Sequence, residues 1–147
     1  MNIRNMTAGD YDAVYALWIN TPGMSLNGID DSRQGIEKYL NRNPGTCFVA
    51  EEDGLIRGVI LSGHDGRRGY IHHTAVDALY RRRGIGKALL DAALGALKRE
   101  GIHKAALVVF TDNAAGNAFW EKNGFTLRDK LFYRNKVIDG ECEARLQ

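Results

Sequence analysis

Between Thr46 and Val76 the chain reads as three strands in a row, with no space for a helix between them. "TCFVAEEDGLIRGVILSG" is a hairpin: Thr46–Glu51 runs out, Asp53-Gly54 turns, and Leu55–Ser62 returns. "HDGRRG" is a second turn, and "YIHHTAV", Tyr70–Val76, is a third and central strand. Turns this short join antiparallel neighbours, whereas a parallel pair needs a crossover of about a dozen residues or more. The middle of the fold is therefore an antiparallel meander, and the flanking segments must pack on it.

Upstream, "MNIRNM" reads as a short first strand. Thr7 with Asp10 three residues on is close to a capping box. The helix it opens has an apolar face of Tyr11, Val14, Tyr15, Leu17 and Trp18. Asn20–Asp31 is a long polar loop, of the kind that in compact domains is functional or mobile. Ser32 caps a second helix carrying Ile36, Tyr39 and Leu40. Downstream, Gly84–Glu100 is a helix with Ile85, Leu89, Leu90, Ala93, Leu94 and Leu97 on one stripe. Lys98 and Arg99 suit the negative end of its dipole, and Gly101 stops it. Lys104–Phe110 is a continuous apolar run, as expected of a strand buried on both faces. "NAAGNAFWEKNG" gives a short helix ending at Gly124, and "FTLRDKLFYRNKVI" gives one or two final strands. The expected class is α/β, a mixed and mostly antiparallel central sheet with helices on both faces. No repeat or linker divides residues 1–147, so one domain is expected.

The net charge is +2, so there is no global basic field for nucleic acid. Positive charge is instead local, at Arg67 and Arg68 and at Arg81, Arg82 and Arg83, which suits a small anionic ligand. Cys47 and Cys142 lie far apart and form neither a metal pattern nor a disulfide framework, so no metal is expected. With no hydrophobic leader in "MNIRNMTAGDYDAV" and no membrane-length apolar stretch, a cytoplasmic protein is expected.

"LYRRRGIGKALL", Leu79–Leu90, sets three arginines and two glycines at the mouth of a helix. A helix N-terminus offers unpaired N–H groups and the positive dipole end. Gly84 and Gly86 let that backbone approach a ligand, and the arginines add planar donors matched to phosphate. The physical reading is a pyrophosphate seated on the Arg82–Lys87 backbone; the bland one is a solvated basic loop. A P-loop is excluded because Ala88 follows Lys87, and the dinucleotide fingerprint because Leu89 stands where a third glycine is needed.

"AVDALYRRRGIGKALL" resembles the pyrophosphate-binding motif Q/R-x-x-G-x-G/A of the GNAT superfamily of acetyl-CoA-dependent N-acetyltransferases, with Arg81, Gly84 and Gly86 in its places. "NAAGNAFWEKNGF", Asn113–Phe125, is similar to a second feature of that family, and the element order matches it throughout. The resemblance implies a sheet splayed in the middle, between Thr74–Val76 and Val108–Phe110, with the pantetheine arm of acetyl-CoA in the gap. It implies Thr74 N–H on the thioester oxygen and the Ala75–Val76 main chain along pantetheine. Arg81, Arg82, Arg83, Gly84, Ile85, Gly86 and Lys87 would hold the pyrophosphate, largely by backbone N–H. Asn113 would bind the pantetheine arm, cap its helix, or both.

The activity implied is direct acetyl transfer to a primary amine, which needs a base near the thioester. His72 and His73 are the candidates; strand alternation sends them to opposite faces, so at most one faces the acceptor. A partly buried strand histidine and deprotonation through water stand beside that reading. At Trp120 the family commonly has a tyrosine that protonates the leaving thiolate, and an indole N–H is no practical acid. Trp120 can still hydrogen-bond the sulfur or wall the pocket, with Tyr133 or solvent supplying the proton. The alternative is a non-catalytic acyl-CoA-binding module. The acceptor is an amine-bearing small molecule or peptide, with Asp30 and Asp31 either attracting it or serving the next helix. The late strands leave an edge at which a homodimer can pair.

Overall fold

The structure, a computed structural model, describes residues 1–140. Cys142 lies outside the described residues. Strand β1 is Asn2–Asn5, helix α1 Tyr11–Ile19, α2 Arg33–Arg42, β2 Phe48–Glu52, β3 Leu55–His64 and β4 Gly69–Val76. Helix α3 is Ile85–Arg99, β5 Ala105–Ala106 and α4 Ala114–Lys122. The sheet order is β1-β2-β3-β4-β5. The first four strands are antiparallel, and β5 joins β4 in parallel after the α3 crossover.

The two-residue period of the strands sorts their side chains into two cores. On one face Val14, Trp18, Ile36 and Leu40 from α1 and α2 cover Cys47, Val49, Val59 and Leu61. On the other, Ile85, Leu89, Leu90, Ala93 and Ala96 from α3 cover Phe48, Ala50, Ile60 and Ile71. Fully burying one such leucine contributes about 2 kcal/mol. The contacts the sequence suggests are present at the turn Ala8–Asp10 that leads into α1 and at the start of α2. The Asp10 carboxylate accepts from the Thr7 N–H at 2.8 Å, and Ser32 Oγ accepts from the Gly35 N–H at 3.0 Å.

Two expectations fail at the C-terminal side. The Lys104–Phe110 run pairs only at Gly69–Ala105 and Tyr70–Ala106, and Val108 is exposed rather than buried on both faces. Among the described residues from Phe125 on there is no strand, and Leu127, Leu131, Phe132 and Ile138 are exposed. Strand-forming side chains make a strand only where an edge accepts the backbone, and β5 offers an edge just two residues long.

A third correction concerns the sheet's centre. Val59 faces Ala75 but Leu61 faces His72, so Ile60 stands opposite both His73 and Thr74. This β-bulge puts His73 at φ 46° and breaks the alternation. His72 and His73 consequently lie on the same face, with ring centroids 6.2 Å apart, instead of on opposite ones.

Candidate active site

The pairing of β4 with β5 ends at Tyr70, and beyond it β4 runs to Val76 paired with β3 on one side and with no described strand on the other. The sheet is therefore open on that side along residues 71–76. At the gap's end lies the start of α3. Arg81 is extended, whereas Arg82 at φ 63° and Gly84 at φ 79° are left-handed, so the chain turns sharply ahead of α3. The first intrahelical bond is Ala88 N–H to Gly84 O, 3.0 Å, so the N–H groups of Ile85, Gly86 and Lys87 precede the ladder. A Cβ at Gly84 would meet nothing within 4 Å, so glycine is required there by its dihedral and not by space.

The side chains of this segment hold the loop more than they face a ligand. Arg57 of β3 bonds Asp77 at 3.1 Å, and Asp77 Oδ1 accepts from the Leu79 N–H. The guanidiniums of Arg57 and Arg83 stand 4.3 and 4.7 Å from the Tyr80 ring centroid. Arg81 Nε donates to Val76 O at 3.3 Å, and Lys87 pairs with Asp91 at 2.9 Å. Ile85 is buried in the core and offers only backbone. A Cβ at Gly86 would lie 3.2 Å from Phe119, so the packing of α3 on α4 also requires a small residue there. The Arg57–Asp77–Tyr80 brace was not foreseen, because Arg57 comes from another strand, 20 residues before Asp77.

The bulge region is ring-lined. His72 lies between Tyr70 and Tyr39, at centroid distances of 4.5 and 5.7 Å. Burial there, with His73 beside it, pushes the His72 imidazole down to about 4, against a smaller opposing pull from Asp31 and Asp30. His73 Nε2 meets Asp31 Oδ1 at 2.8 Å, the two side chains being 5% and 6% exposed. A carboxylate only accepts, so His73 is the donor. Trp18 Nε1–H donates to the His73 carbonyl at 3.0 Å.

The loop before α2 is tied down rather than open for a cation. Asp31 Oδ2 accepts from the Asn27 N–H at 2.8 Å, and Asp30 Oδ2 from Asn27 Nδ2 at 2.9 Å. Neither carboxylate caps α2, a role Ser32 performs. Asn113 is the N-cap of α4, its Oδ1 accepting from the Gly116 N–H at 2.9 Å. Trp120 packs edge-on between Phe119 and Phe125, at 4.9 and 5.3 Å. Tyr133 is 56% exposed and lies in electrostatic reach of Tyr70, which it raises together with burial. Cys47 is buried, and desolvation pushes its thiol up to about 12, which unfits it as a nucleophile. Among the described residues no cluster could hold a metal ion, and no helix is long and apolar enough to cross a membrane.

A sheet opened on one side of its central bulged strand, with a glycine-led helix mouth at the end of the opening, is the frame that the resemblance to acetyl-CoA-dependent acetyltransferases implies. Known proteins agree. The Acetyltransferase (GNAT) family profile matches residues 11–125. An acetyltransferase of Yersinia pestis is 31% identical over 138 residues, spanning 94% of this chain and 96% of its own. The crystal structure of Ard1 from Thermoplasma volcanium is 26% identical, with a TM-score of 0.75 over 84% of this chain and 80% of that one. The diaminobutyrate acetyltransferase of Paenibacillus lautus, solved with L-2,4-diaminobutyric acid and coenzyme A, is 25% identical, with a TM-score of 0.70 over 83% of this chain and 73% of that one. The chain belongs to the GNAT acetyltransferase family.

Proposed function

We propose that the protein transfers an acetyl group from acetyl-CoA to a primary amine by direct attack. The observation that carries this is the open edge of β4 along residues 71–76, on the side away from β3, leading to the N–H groups that precede the α3 ladder. The fit is physical: an extended arm can lie along an open strand edge, and a diphosphate suits a helix mouth with uncapped donors. When bound, acetyl-CoA supplies an activated thioester and a thiolate leaving group.

The chain's own residues then have defined tasks. The backbone N–H groups of Arg82–Lys87 hold the pyrophosphate, with the arginine charge around them. The main chain of Ala75 and Val76 aligns the arm, and Asn113 has its Nδ2 left to reach it while Oδ1 caps α4. Thr74 N–H faces the thioester oxygen as charge develops there. His72 is uncharged at neutral pH and takes the proton released by the attacking amine, with Asp30 and Asp31 favouring its charged form. His73 is committed to Asp31 and serves geometry. Trp120 walls the gap, and the thiolate takes its proton from the Tyr133 hydroxyl or from solvent. The acceptor is a primary amine on a small molecule or peptide, and the exposed 127–138 segment is where a second copy would pair. We place the protein in the cytoplasm as one domain.

The test is release of free CoA thiol in the presence of a panel of primary amines, including small diamines, aminoglycosides and peptides with free N-termini. Turnover that needs both acetyl-CoA and one class of amine is the expected result. Tight acetyl-CoA binding without release for any amine would favour a binding module instead, the reading to which Trp120 in place of a tyrosine points.

A further inference from the structure

Trp18 lies wholly in the core at 0% exposure, and its indole N–H is spent on one carbonyl, that of His73. That carbonyl belongs to the bulge peptide His73–Thr74. In a planar trans peptide the C=O and the next N–H point in opposite directions. A carbonyl turned toward α1 therefore turns the Thr74 N–H away from α1. The same peptide is gripped from its side chain: His73 is tied to Asp31, which also receives the Asn27 N–H, while its own carbonyl accepts from the Tyr11 hydroxyl at 2.7 Å. His73 holds φ 46°, a left-handed conformation that a non-glycine residue keeps only where its surroundings fix it. Two hydrogen bonds from two separate segments, α1 and the loop before α2, converge on this one residue.

We infer that Trp18 and Asp31 are positioning residues for the reaction: through His73 they set the direction of the Thr74 N–H, the donor that meets the thioester oxygen. This rests on the acetyl-transfer reading above. It also ties the acceptor-side loop to the oxyanion donor, so that disturbing residues 27–31 changes the chemical step rather than cofactor affinity.

Two variants isolate the effect. Trp18→Phe keeps most of the ring volume and deletes the N–H; Asp31→Ala deletes the other hold. Each is expected to lower kcat by roughly ten- to a hundredfold, below the loss for outright removal of such a donor, with the acetyl-CoA dissociation constant within about threefold of wild type. The double variant should lose little more than the worse single one, because both act on one peptide. Asp31→Asn, whose single amide oxygen can still accept from His73 while the charge and the acceptor for the Asn27 N–H are lost, should recover part of the rate. A second readout needs no chemistry: hydrogen exchange of the Trp18 indole N–H in the ligand-free protein, assigned by its loss in Trp18→Phe. Asp31→Ala should speed that exchange by about tenfold or more. Rates within twofold of wild type, losses that track acetyl-CoA affinity, or unchanged indole exchange in Asp31→Ala would overturn the inference. Wild-type protein that fails to bind acetyl-CoA would sink the acetyl-transfer reading and this role with it. Normal indole protection, sped up by Asp31→Ala, would then show that the hydrogen-bonded clamp itself exists.

Discussion

Replacing His72 by phenylalanine should flatten the acid side of the stability curve. The imidazole is enclosed by Tyr39 and Tyr70, and its pKa falls from the ordinary 6.5 to about 4. Between those values the unfolded chain binds a proton that the folded chain refuses. Stability conferred by the neutral ring is therefore complete above about pH 6.5 and is lost as pH falls toward about 4, below which the native state protonates too. At 1.36 kcal/mol per unit, the shift corresponds to about 3 kcal/mol across that window. The assay is urea unfolding of wild type and His72→Phe at intervals from pH 7.5 to pH 4. Phenylalanine keeps the ring contacts, and every other titrating group is common to both proteins. The difference in unfolding free energy between them should shift by about 3 kcal/mol in favour of the variant as pH falls. Parallel curves would show that His72 titrates as freely in the folded state as in the unfolded one, and would refute the argument that burial disfavours its charged form.

Other outcomes follow from single contacts. Asn113→Ala should cost about 1 kcal/mol in thermal or denaturant unfolding through loss of the α4 cap, and an accompanying loss of acetyl-CoA affinity by calorimetry would show that the side chain also touches the arm. Gly86→Ala should destabilise by about 1 kcal/mol by crowding Phe119, and Phe119→Leu in the same chain should recover part of it in the same unfolding assay. Lys87→Met should leave stability within about 0.5 kcal/mol, because its pair with Asp91 is exposed, and should weaken acetyl-CoA binding only severalfold if backbone donors do most of the holding.

The elements that were legible in the sequence are those whose signal is local. The meander from Thr46 to Val76 follows from two short turns, and α3 from the spacing of its apolar stripe and the glycine before it. The turn before α3 was legible for the same reason: Gly84 needs its left-handed dihedral wherever the chain goes next. The bulge at His73 was not legible, because one extra residue in a strand leaves no mark on composition, yet it decides on which face both histidines lie. Nor was the partnership of Trp18, Asp31 and His73, which joins residues 42 and 55 positions apart. Asp31 read as a carboxylate that either attracts the acceptor or serves the next helix; only the fold shows it buried against His73. The segment after Phe125 has strand-like side chains, and its failure to form a strand reflects a missing edge rather than a missing propensity.

The central claim is that a phosphate-bearing acyl carrier sits on the Arg81–Lys87 backbone. Isothermal titration with acetyl-CoA, CoA and a pantetheine fragment lacking phosphates, repeated on Gly84→Glu, tests it most directly. Gly84→Asn serves as a control, since asparagine tolerates the left-handed dihedral without bringing a negative charge. The account predicts binding that requires the phosphates, is retained in Gly84→Asn and is abolished in a folded Gly84→Glu. Equal affinity for the phosphate-free fragment, undiminished binding by Gly84→Glu, or no binding by the wild-type protein would contradict it.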